Sequence, residues 1–283
     1  MIRLKSMPDS ANIRMKRMPG WITGIFVAGT FLALTWFESK RPLRKSVEPK
    51  LVREARNLSI AGLGVVALTL CEDPVTRPLT RWSARRRRGI LPALRLPVWL
   101  EIVAAVMLLD YTLYLWHVLT HKVPWLWRFH AAHHVDLDLD ASTAIRFHVG
   151  ELTQSVAWRA AQIVVIGVSP LALSVWQTLL LVSILFHHSN ANLATESERR
   201  LGWFVVTPRM HGIHHSMRQN ETNSNWSSGL SLWDRIHRTL KLDVPQDAVT
   251  IGVPAFQNPS CVTLPRVLSL PFDPPADWWT IRN

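Results

Sequence analysis

Four apolar runs, at residues 21–37, 57–70, 98–119 and 156–186, constrain this chain more than any other feature of it. In hydrocarbon every backbone N–H and C=O must be satisfied internally, which favours helices. A helix of about 20 apolar residues crosses a bilayer. In a chain of 283 residues these runs predict an all-α integral membrane bundle with about four membrane helices. Two of the runs are irregular. The 57–70 run is short for a crossing, so it lies re-entrant or extends into its flanks. The 156–186 run reads as a helical hairpin bent at Gly167-Val168-Ser169-Pro170. Fourteen Trp, several at the ends of these runs, suit a membrane interface.

Charge follows the same plan. The net charge is +12, but no nucleic-acid recognition motif is present, and Lys and Arg flank the apolar runs, where they meet anionic lipid head groups. No nucleic-acid partner is expected. Two cysteines, Cys71 and Cys261, are too few for a disulfide framework or a thiolate metal site. The basic stretch before residue 21 lacks a clear small-x-small cleavage site after the apolar run, which reads as an anchor. We divide the chain into an N-terminal membrane anchor region with basic loops (1–97), a catalytic domain (98–240) and a Pro-rich C-terminal tail (241–283) containing Pro254, Pro259, Pro265, Pro271, Pro274 and Pro275. Residues 38–97 hold fourteen Lys and Arg against five in 1–37. The positive-inside rule puts that segment in the cytoplasm, yet it directly precedes the span leading to the histidines; either the 57–70 run does not cross or another span is misplaced. The expected side for the histidine face is cytoplasmic.

The chemistry is concentrated in histidine. His117 and His121 form H-x-x-x-H; His130, His133 and His134 form H-x-x-H-H, and that pattern returns as His211, His214 and His215. On a helix the last two rings of H-x-x-H-H straddle the first by about 60° and about 40°, a splay that suits two adjacent ions better than one. His187 and His188 close the 156–186 run as His117 and His121 close the 98–119 one. The imidazoles thus gather where membrane helices emerge, and a di-metal site is expected on the membrane-proximal face. Asp110 and Tyr114 share a stripe with His117 and His121; a carboxylate inside an apolar helix needs a partner, and holding a ligating His by its second nitrogen would supply one. Glu151 is a further outer candidate. His237 reads as an ordinary hydrogen-bonded residue.

Imidazole suits Zn, Cu, Fe and Ni, and a single zinc would use only three or four rings. No H-E-x-x-H and no E-x-x-H occurs, which removes the metalloprotease arrangement and the carboxylate-bridged di-iron bundle. A membrane b-type haem electron carrier, a zinc-dependent membrane hydrolase and a non-catalytic metal store stay open as alternatives.

The three boxes, with A-S-T-A-I-R-F-H-V-G-E (141–151), F-H-H-S-N (186–190), V-T-P-R-M-H-G-I-H-H-S (206–216) and E-T-N-S-N-W-S-S-G-L-S-L-W-D-R (221–235), resemble the fatty acid hydroxylase/sterol desaturase superfamily over roughly residues 98–240. The resemblance implies a membrane oxygenase with two non-haem iron ions, O2 as co-substrate, and a lipid or sterol-like C–H bond that is hydroxylated or desaturated. It implies metal ligation by His117, His121, His130, His133, His134, His188, His211, His214 and His215. His148 matches the family's R-F-H-P-x-E word and His187 falls at a variable position, so both are secondary candidates. Val149 replaces the usual Pro, Trp226-Ser227 the usual Tyr-Gly, and His237 a common aromatic. With no flavin, nicotinamide, haem or Fe–S fingerprint in the chain, a separate electron donor of the ferredoxin or cytochrome/reductase type is expected.

Overall fold

The computed structural model describes residues 10–274 and 277–280; the remainder, Pro275 included, lies outside the described residues. The described residues are helical, with no strand beyond three isolated bridges. The principal helices are α1 (Gly20–Lys40), α2 (Lys50–Ala67), α3 (Asp73–Arg86), α4 (Val98–Lys122), α5 (Pro124–His134), α6 (Val149–Gln162), α7 (Pro170–His188) and α8 (Pro208–His214). Four helical segments are long and apolar enough to cross a membrane: Gly20–Lys40, Lys50–Leu94, Val98–Lys122 and Pro170–His188. Their outward faces expose large apolar side chains, among them Trp21, Phe26, Leu32 and Trp36 on α1 and Leu63 and Val66 on α2, a surface suited to lipid rather than water.

The short run at 57–70 does extend into its flanks rather than forming a brief re-entrant loop. A helix begins at Lys50 behind Pro49, passes a π turn at Leu68–Glu72 and continues as α3. It stops where Arg87 turns left-handed at φ 50°. The exposed Arg85, Arg86, Arg87 and Arg88 lie at this end. The hairpin bend falls where the sequence places it. A π turn prolongs α6 to Gly167, whose φ of +79° reverses the chain, and Pro170 opens α7 behind the Ser169 cap, which accepts from Ala172 N–H. Gly167 also meets Gly89: a Cβ on Gly89 would stand 2.4 Å from the Gly167 Cα, so two chain reversals touch with no side chain between them.

Two proline junctions aim the histidine helices. Pro124 disfavours helical backbone at the preceding residue, and Val123 is extended at φ −94°, ψ 114°. The chain therefore breaks after α4 and restarts at once as α5, bringing the C-terminal turn of α4 against the rings of α5. Before α8, Thr207 caps with its side chain on Met210 N–H and Pro208 occupies the first turn.

The acidic run after the second box is buried. Asp136 accepts from Asn57 Nδ2 (2.9 Å) and is paired with Arg53 (3.3 Å), Arg56 (3.2 Å) and Arg146 (3.6 Å); Arg53 also binds Asp140. Asp138 takes the backbone N–H groups of Val47 and Glu48 at 2.8 and 2.9 Å. Arg146 reaches back to the carbonyl of Ala132, inside the second box, at 2.9 Å. Burial alone would raise the Asp136 carboxyl; the guanidiniums of Arg146, Arg53 and Arg56 outweigh it and hold the group down at about 2. This network fastens the end of α5 to α2. The tail closes the other side: Val253, Val262, Val267 and Leu270 pack with Trp127, Ala131, Val135 and Leu137, and Trp279 stacks on Trp127 at 5.7 Å.

Because its folded value is depressed, Asp136 contributes stability above the ordinary carboxylate value of 3.8 that is lost as pH falls through about 2. Asp136→Asn removes the carboxylate that Arg53, Arg56 and Arg146 share and leaves the buried Arg146 with no acid partner among the described residues. We expect a loss of about 3–5 kcal/mol, read as a lowered unfolding midpoint in detergent at neutral pH.

Candidate metal centre

Nine imidazoles converge between the ends of α4, α5, α7 and α8, in two groups. His117, His121, His130, His134 and His214 form one; His133, His188, His211 and His215 form the other, with ligand atoms within 4.8 Å of one another in each. The division follows helix geometry. In each H-x-x-H-H box the first and last histidines, four residues apart, stay on one side, and the middle one at i+3 crosses to the other. The second box gives two rings to the first group and one to the second; the third box does the reverse. The groups share a wall where His134 stacks on His215, ring centroids 4.3 Å apart and planes within 13°.

Metal ligation fits this arrangement on two counts. The Nε2 atoms point inward: His188 Nε2 lies 3.0 Å from both His133 Nε2 and His211 Nε2, His211 Nε2 lies 3.1 Å from His215 Nε2, and His130 Nε2 lies 3.2 Å from His134 Nε2. Two nitrogens each about 2.1 Å from a common ion and about 90–100° apart would have that separation. The Nε2 atoms of His121 and His214 are buried without a hydrogen-bond partner among the described residues, a costly state that an ion would relieve.

The outer nitrogens hold the rings. Nδ1–H of His117 donates to the Trp226 carbonyl (2.7 Å), that of His188 to Ile184 (2.7 Å), that of His214 to Ser224 (2.8 Å), and that of His130 to Glu151 Oε1 (2.8 Å). A proton on Nδ1 leaves the Nε2 lone pair facing inward. Burial, then the neighbouring rings, pushes His133, His134, His211 and His215 well below their ordinary 6.5, and burial takes His214 down to about 3. These rings are neutral at pH 7, the form that binds metal.

The remaining candidates sit elsewhere. Asp110 accepts from Leu230 N–H (2.9 Å) and Trp233 Nε1–H (2.7 Å), so its partner is an indole and no histidine rests on it; Glu151 is the acid that does this work. Tyr114 meets Thr239 through its hydroxyl (3.1 Å) and stacks on His237 at 4.9 Å. His148 belongs to neither group: its Nδ1 accepts from Gly150 N–H and caps α6, while Nε2–H donates to Leu268 O. His187 is buried against His188 and His211, ring centroids 4.6 and 4.1 Å away, outside both groups. The carbonyls of Trp226, Ser224 and Ile184 carried no sequence signal, because a backbone acceptor is independent of residue type.

Beside the rings lies a cavity of about 160 Å³ walled by α4, α6 and α7, with Leu113, Trp116, Phe147, Leu152, Leu180 and Ile184 supplying its apolar lining.

Glu151→Gln keeps the shape of the acid and removes its charge. We expect metal affinity in the group containing His130 to fall about 10–100-fold, while His148→Ala leaves it unchanged; metal titration of the purified variants reads both.

Residues 102–239 match the family described as Fatty acid hydroxylase. The chain is 29% identical to ornithine lipid hydroxylase OlsE of Rhizobium tropici over 56% of this chain and 46% of that protein. It is 27% identical to cholesterol 25-hydroxylase of Homo sapiens over 50% of this chain and 51% of that one. Alkylglycerol monooxygenase of Homo sapiens is 29% identical over 50% of this chain and 30% of its own length. The matched stretch thus spans about half, or less, of these curated relatives. No solved structure matches the chain. The matched residues include both imidazole groups, and through that domain the chain belongs to the fatty acid hydroxylase/sterol desaturase superfamily.

Proposed function

We propose that the protein is a membrane-bound non-haem di-iron oxygenase that hydroxylates a C–H bond of a lipid or sterol-like substrate, using O2 and electrons from a separate donor. One observation carries this reading: two contiguous groups of imidazoles, buried but for the half-buried His121 and neutral where titration is resolved, have inward Nε2 atoms and no carboxylate in either group. His117, His121, His130, His134 and His214 would hold one ion and His133, His188, His211 and His215 the other. Bound iron would supply the activation of O2 and the oxidation of an unactivated carbon.

The chain's own residues do the rest. Three carbonyls and Glu151 fix ring orientation through Nδ1. The apolar lining beside the rings receives hydrocarbon and keeps water from the reacting carbon. The tail residues Trp278 and Trp279 pack on Trp127, which itself lies tilted against His121 at 5.0 Å and His134 at 5.4 Å, so the tail borders the rings on that side. We place the histidine end on the cytoplasmic side, where a soluble ferredoxin- or cytochrome-type donor would reach it. The names of the relatives, hydroxylases of an ornithine lipid and of cholesterol and a monooxygenase of alkylglycerols, support a lipid substrate.

Metal analysis of the purified protein should find two iron atoms per chain, and lipid mass spectrometry of expressing cells should find a species heavier by one oxygen that disappears without O2. One zinc per chain with O2-independent turnover, or a strong Soret band, would overturn the reading. His133→Ala and His214→Ala, drawn from different groups, are each expected to lose iron and activity. His237→Ala should retain its iron, because that ring packs on Tyr111 and Tyr114 instead.

A further inference from the structure

The cavity beside the rings has one feature its lipid-like lining does not explain. Among its wall residues on α6, Glu151, Leu152, Ser155 and Arg159 follow one face of the helix. Glu151 holds His130; Arg159 lies eight residues on, about 12 Å along the axis. The cavity thus has imidazoles toward one end and a guanidinium toward the other.

That guanidinium is poorly matched by protein. Its Nη1 donates to Gln162 Oε1 at 2.5 Å, and its plane lies over Trp176 at 4.3 Å. Its Nε is buried with no partner, and no ion pair to a carboxylate forms among the described residues. Glu72, the acid that acts on it from farther off, is taken by Gln177 Nε2 at 3.3 Å. Gln162 is in turn fixed by donating to Thr112 Oγ1 at 2.5 Å, so the arginine is steered rather than free. A cation among apolar side chains is costly unless paired, and a guanidinium presents a fork of donors that fits two oxygens of one acid group.

Resting on the oxygenase reading above, we propose that Arg159 is the substrate-recognising residue of this cavity. Its occupant is an amphiphile bearing an anionic oxygen group, a carboxylate or a phosphate, at the end remote from the metals. The hydrocarbon then extends along Ser155 and Leu152 toward the rings. Arg159 fixes how far along the chain the reacting carbon lies, because the helix that carries it also carries Glu151, which holds His130 of the ring groups.

The test is equilibrium binding to the purified, metal-loaded protein in uncharged nanodiscs, with palmitate, hexadecyl phosphate and methyl palmitate as probes. At least one of the two anions should bind about tenfold or more tightly than the ester, the margin of a charge-assisted hydrogen bond, and whichever anion leads identifies the head group. R159Q should abolish that preference and R159K should keep part of it, with metal content unchanged in both. Equal binding of all three probes by the unaltered protein, or a preference that survives R159Q, overturns the assignment. If R159Q does not fold, the unaltered protein and R159K decide. Binding is read without turnover, so failure here leaves iron content and O2-dependent hydroxylation intact, whereas failure of the oxygenase reading shows as protein without iron.

Discussion

Nine imidazoles packed into one region, with a single carboxylate touching one of them, set the terms for the rest of the molecule. Protonated rings at these distances would repel and could not be solvated, so the resolved rings are held neutral. Neutral rings with inward lone pairs still need something to face, and hydrogen bonds among the rings cannot satisfy every inward nitrogen, since His121 and His214 are left without a partner. The surrounding structure can be understood as what it takes to keep such a group together. Four helix ends must arrive at one place, each in a fixed rotation, and carbonyls must be spared from helix ladders or loops to grip the outer nitrogens.

That requirement explains where charge is placed. Arg53 and Arg56, Asp136 and Arg146 look from sequence like basic loop and acidic run, yet they form a buried network directly behind the second box. The network ties α5 to α2 while keeping carboxylates out of both ring groups. On the opposite flank the tail seals the second box with valines, a leucine and two tryptophans.

Much of this was legible in residues alone. Membrane helices follow from apolar runs, the hairpin bend from Gly167 and Pro170, and the two-group splay from the angle between i, i+3 and i+4. What escaped was what depends on distant partners. Asp110 shares a helical stripe with His117 and His121, but stripe membership says nothing of depth, and Trp233 reaches it from 123 residues away. His148 sits in a family word, yet its ring turns to a helix cap and to Leu268. The 57–70 run seemed short because its flanks are charged; Arg53 and Arg56 are paired inside the protein, so the helix continues through them.

The exchange of rings between the two H-x-x-H-H boxes also governs how such a chain can change over generations. Adding or deleting one residue inside a box would swing every later ring by about 100°, taking a nitrogen from each group at once. Substitution leaves that register intact: the spacer is Ala131-Ala132 in one helix and Gly212-Ile213 in the other, and both deliver their imidazoles. Length is the strictest constraint on these windows and packing the next, since Ala131 and Ala132 are fully buried and a Cβ on Gly212 would run into the Arg44 guanidinium.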